Sequence, residues 1–99
     1  MNVKRSLLRC LNEGYRPATS QEIRDLVYKR KIPDQFYYTS TVSIDGKIRD
    51  AESSELENIE EFYQKEGRLL FFKYGNVGLG DRNIFNGSVS RFVGIQSEI

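Results

Sequence analysis

The chain has no histidine, no tryptophan, one cysteine and two prolines among its 99 residues. Each shortage excludes something. Without histidine the commonest general base and metal ligand is missing, and with it most Ser/His and Cys/His nucleophile schemes. A lone Cys10 can form neither an internal disulfide nor a thiolate metal cluster. With no signal-like apolar region, this usage points to a cytoplasmic protein. No apolar run approaches the ~18 residues of a spanning helix, so no membrane partner is expected. A net charge of +1 gives no overall push toward nucleic acid or an anionic surface.

What is present is aromatic. Six Phe and six Tyr argue against disorder and supply large pieces for the single modest core a chain of this length can build. The charge is also uneven. Residues 1–50 hold ten Lys/Arg against six Asp/Glu, or +4, and residues 51–99 hold five against eight, or −3. A basic face and an acidic face are the expectation.

Val3, Leu7, Leu8, Cys10 and Leu11 recur at helical spacing and predict a first helix over 3–13, with Cys10 as a small buried hydrophobe rather than a reactive thiol. Gly14 sits where a helix stop belongs, Pro17 turns the chain, and Thr19 with Glu22 forms a capping box. The second helix is predicted over 20–30, burying Ile23, Leu26 and Val27, with Lys29-Arg30-Lys31 at its negative end. The segment from Phe36 to Ile44 has strand composition, with Tyr38, Val42 and Ile44 on one face. Asp45-Gly46 then marks a hairpin turn before Lys47-Ile48-Arg49. Residues 50–67 are acidic, and Leu56, Ile59, Phe62 and Tyr63 repeat at helical spacing. Ser54 and Glu57 read as a second capping box and Gly67 as the stop. Arg68 to Tyr74 is a buried strand candidate, 76–86 a polar loop broken by glycines, and Val89 to Ile95 a terminal strand.

Gly14-Tyr15-Arg16-Pro17-Ala18-Thr19-Ser20-Gln21-Glu22-Ile23 resembles the Gly-Trp/Tyr-Arg-Leu-Pro-Thr-x-x-Glu-Leu signature of short bacterial C-type-lectin-like domains, including the formylglycine-generating-enzyme-like branch. Tyr37-Tyr38-Thr39-Ser40-Thr41, Leu70-Phe71-Phe72-Lys73-Tyr74-Gly75 and Ser90-Arg91-Phe92-Val93 are similar to later strands of that superfamily. The resemblance implies a compact α+β domain: two N-terminal helices, then antiparallel strands with an acidic helical insertion, the first superfamily strand being absent or very short. It also implies that the loop before the last strands forms the ligand face. Here that gives Tyr74, Asn76, Asp81, Arg82, Asn83, Phe85 and Asn86 as partner-binding candidates. The paired cysteines of the sulfatase-modifying enzymes and the calcium-ligand triplets of lectins are missing, so no cofactor, metal or catalysis is carried over. The expected function is a non-catalytic binding module for a protein partner, of the kind found in small bacterial or phage accessory proteins.

A phosphate loop at Gly75 to Gly80 lacks the Gly-Lys-Ser/Thr it needs. The rival reading is a winged helix-turn-helix, with Thr19 to Ile23 opening one helix and Phe36 to Arg49 forming the wing. Arg24, Lys29, Arg30 and Lys31 would then contact phosphates, although the same triplet also reads as a solvated helix end. Near-neutral charge and the long Gly14–Pro17 connection count against it.

Overall fold

Val3 and Leu7 are buried one above the other and Leu11 packs on the same cluster; this stripe makes α1 (Val3–Asn12). The computed structural model describes residues 3–80 and 91–96. Gly14 follows α1 at φ 84°, the left-handed position glycine reaches without a Cβ penalty. The chain then runs extended through β1 (Tyr15–Pro17), a strand inside the segment where sequence gave only a corner. The Thr19 Oγ1 accepts the Glu22 amide at 3.2 Å and the Glu22 carboxylate accepts the Thr19 amide at 3.0 Å, the expected capping box.

α2 (Ser20–Tyr28) ends two residues earlier than the pattern predicts. Arg30 adopts φ 55°, its amide donates to the Val27 carbonyl, and the Lys31 amide donates to that of Leu26. This is a Schellman stop with arginine where glycine is usual.

β2 (Tyr37–Ile44) and β3 (Lys47–Asp50) form a hairpin across Asp45-Gly46. The acidic segment is two short helices, α3 (Ser53–Glu57) and α4 (Ile59–Gln64), rather than one. They break at Asn58, whose φ of −118° and ψ of 48° are not helical. The expected Ser54–Glu57 box is also displaced: α3 starts behind Glu52, whose amide donates to the Glu55 carboxylate at 2.9 Å. Beyond the end of α4, Glu66 at φ 67° closes it, again by a Schellman pair. Gly67 lies just beyond, where a Cβ would meet the Phe62 ring at 2.4 Å.

β4 (Arg68–Lys73) turns at Tyr74-Gly75 into β5 (Asn76–Leu79), so the first part of the expected 76–86 loop is a strand. β6 (Gly94–Gln96) pairs antiparallel with β1, Tyr15 opposite Gln96 and Pro17 opposite Gly94. Phe92 and Val93, expected within a longer terminal strand, lie just before it. The main sheet is antiparallel in the order β3-β2-β4-β5. Its register shifts between Tyr38 and Val42. There the buried Thr39 Oγ1 donates to the Leu70 carbonyl at 2.9 Å and accepts the Thr41 amide at 3.1 Å.

Alternation along β2 and β4 sends side chains to both faces. Tyr38, Val42 and Leu69 join Val3 and Leu7 of α1 with Leu56, Ile59 and Phe62. Ile44 packs on the same cluster, so the predicted face of β2 is the observed one. Tyr37 and Phe72 face the other way, onto Ala18 and Ile23 of the α2 side. The fold is α+β, a central sheet with α1, α3 and α4 on one face and α2 on the other. Among the described residues no helix is long and apolar enough to cross a membrane.

Candidate functional site

Of the seven binding candidates, Tyr74 and Asn76 fall on the β4–β5 hairpin; Asp81, Arg82, Asn83, Phe85 and Asn86 lie outside the described residues. The hairpin's two central residues are Tyr74 at φ 47° and Gly75 at φ 84°. Positive φ at both is the type I′ arrangement, which favours Asn-Gly or Asp-Gly because bulky side chains strain there. The other tight hairpin in this chain follows that preference, with Asp45 at φ 53° and Gly46 at φ 73°. Tyrosine at position 74 therefore carries a local cost of roughly 1 kcal/mol. Tyr74 is 64% exposed, and no hydrogen bond or ring contact among the described residues involves it.

The strand beyond the turn is exposed as well. Val77 and Leu79, at 39% and 58% exposure, lie opposite Phe72 and Leu70 and so share the α2 side of the sheet. On the other side Gly78 leaves room for the Phe71 ring, which an added Cβ would meet at 2.6 Å. Sequence reasoning placed Val77 and Leu79 in a loop and did not name them as site residues. The signal available was Tyr-Gly as a turn, unusual enough to pass unread.

Strongly perturbed ionisable groups often mark reactive sites, but here they mark helix starts. The Arg16 guanidinium makes two 2.7 Å bonds to Glu22, which with the Thr19 amide hold that carboxyl down to about 2. Arg49 grips Glu55 in the same bidentate way, and with the Glu52 amide lowers it to about 2. In each case arginine sits three residues before the cap and six before the glutamate. Both carboxylates are occupied by structure and free for nothing else.

Arg24 is half-buried on α2, and Lys29, Arg30 and Lys31 are exposed in the turn after it. α1 and α2 lie in different core clusters on opposite faces of the sheet, so they make no helix-turn-helix pair. β2 is an interior strand, buried through most of its length, rather than half of a projecting wing.

An open cleft of about 550 Å³ lies between α1 and the last described segment, lined by Arg9, Cys10, Tyr15 and Arg91 among others. Cys10 is half-buried there rather than in the core. Burial and then the nearby Glu13 raise its thiol pKa, which keeps it protonated and unreactive. Among the described residues no group of three or more acidic or cysteine side chains is placed to hold a metal ion.

Comparison with protein-family models, with curated proteins and with solved structures returns no match to this chain.

Proposed function

We propose that the chain is a non-catalytic binding module that recognises a protein partner through the β4–β5 hairpin and the glycine-rich segment after it. The observation that carries this reading is Tyr74, a large aromatic kept in a strained turn conformation and turned out to solvent. Exposed aromatics of this kind are common anchors of protein interfaces. Backbone strain at a residue that makes no hydrogen bond or ring contact among the described residues is a mark of functional positions. Asn76 lies beside it, and Asp81, Arg82, Asn83, Phe85 and Asn86 follow in the chain. The hydrogen-bonding side chains of Asn76, Asp81, Arg82, Asn83 and Asn86 suit the polar rim of such a contact, and Phe85 would serve as a second aromatic anchor.

The reading of the domain as C-type-lectin-like belongs to the same proposal. Its support is that the Gly14 to Ile23 segment runs between two helices, as the signature does in that superfamily, and leads into a capped helix. The non-catalytic assignment rests on the absence of histidine and on the structural occupation of Glu22 and Glu55. The cytoplasmic assignment rests on the single cysteine.

The test is a quantitative pull-down comparing wild type with Tyr74→Asn and with a variant carrying Asp81→Ala, Arg82→Ala and Asn83→Ala. A protein held by wild type and lost by both variants, with neither thermal midpoint lowered, is the expected result. Tyr74→Asn is further expected to raise stability by up to about 1 kcal/mol, because asparagine tolerates the turn. Equal recovery by all three would sink the proposal, as would recovery of nucleic acid alone with a steep salt dependence.

A further inference from the structure

Among the described residues the main sheet ends on β3 at one side and β5 at the other, and these two edges are built differently. β3 carries Lys47, Arg49 and Asp50, and Arg49 is clamped to Glu55. Charges of this kind stop another strand from adding to an edge. β5, Asn76-Val77-Gly78-Leu79, has no charge and no proline.

On the side away from β4 no described strand pairs with β5. The Gly80 amide donates to the Leu69 carbonyl at 2.8 Å. Alternation from that pair makes Phe71–Gly78 and Lys73–Asn76 the bonded pairs. Phe72–Val77 and Leu70–Leu79 are then non-bonded, so the N–H and C=O of Val77 and Leu79 turn away from β4. Two residues therefore present outward backbone donors and acceptors together with exposed apolar side chains on one face.

We infer that β5 receives an extended peptide segment of the protein partner as a fifth strand of the sheet, a mode that rests on the function proposed above and names how that partner is held. Backbone bonds to Val77 and Leu79 supply affinity. Apolar residues at alternate positions of the segment lie beside the Val77 and Leu79 side chains, and Tyr74 closes over one end. The segment lacks proline where its amides meet the two carbonyls. The size of the edge favours a peptide over a second copy of this chain. Four residues span about 13 Å, and a strip of that length one sheet-spacing (about 10 Å) wide covers on the order of 130 Å², far below the roughly 1,000 Å² that a stable contact between folded domains buries.

The test pans a displayed library of random short peptides against wild type, then measures the enriched peptides on Leu79→Pro, Leu79→Lys and Tyr74→Asn. Leu79→Pro removes an outward donor that β4 does not use; Leu79→Lys keeps that donor and adds the missing guard charge. Enriched peptides are expected to alternate apolar residues and to lose about tenfold or more in affinity on either Leu79 variant, while thermal midpoints hold. Loss on Tyr74→Asn with full binding to both Leu79 variants overturns strand addition and leaves the hairpin tip as the site. Undiminished binding to all three overturns both. A concentration-dependent dimer of wild type, abolished by Leu79→Lys, gives the edge to a second copy and overturns the peptide assignment.

Discussion

Thr39 shows how much of this fold rests on small polar side chains. Its hydroxyl donates to the Leu70 carbonyl and accepts the Thr41 amide, both buried, across the register shift between β2 and β4. Thr39→Val keeps the shape and removes both bonds, leaving a donor and an acceptor without partners. The expected cost is about 1–3 kcal/mol in a denaturant titration, whereas the same change at an exposed threonine would cost little. Sequence placed Thr39 within a strand, which is where it lies, but its role was not visible there. The bulge that needs it arises only when β4 arrives from thirty positions downstream. Gly78 makes a similar point: it is written in the sequence as one more loop glycine, and its function is to seat the Phe71 ring. Gly78→Val is expected to destabilise by overpacking, by about 1–3 kcal/mol, read as a lower thermal midpoint.

At the scale of elements, local chemistry was legible and long-range pairing was not. α1, α2, the Asp45-Gly46 hairpin and β4 follow from periodicity, caps and turn residues close in sequence. β5 escaped because Tyr74-Gly75 stands where the turn code calls for Asn or Asp, so nothing announced a return strand. β1 escaped because its three residues include Pro17, and only β6, far along the chain, gives them a partner. The helix ends show the same limit. Arg30 and Glu66 occupy left-handed stop positions that a glycine rule does not find. Arg30→Gly at this exposed site is expected to raise stability by about 1 kcal/mol, seen as a shifted midpoint with an unchanged denaturant slope. Of the candidate site, Tyr74 and Asn76 were named through the resemblance, while Val77 and Leu79 needed the register.

For the molecule as a whole, the two arginine–glutamate clasps set a pH limit. Glu22 and Glu55 both titrate near 2 in the folded chain, below their ordinary 4.5. Their contribution to stability is therefore complete above about pH 4.5 and drains away as the pH falls toward 2. A variant with Glu22→Gln and Glu55→Gln is expected to be less stable at neutral pH. It should also lose less on acidification, so the two stability curves converge at the acid end. Parallel curves would mean the clasps are not what titrates.

β2 has bonds on both flanks along its length, to β4 on one side and to β3 and the backbone of Ala18 and Arg91 on the other. A protease needs an extended stretch of free chain, and no local opening provides one here. Fraying of β3 leaves β2 still held by β4 at Tyr37, Tyr38, Val42 and Ser43, and fraying of β5 leaves it untouched. Cleavage within that stretch accordingly counts only molecules that have unfolded completely, while nicks at the hairpin tips count local openings. The chain carries its own gauge of the difference between the two.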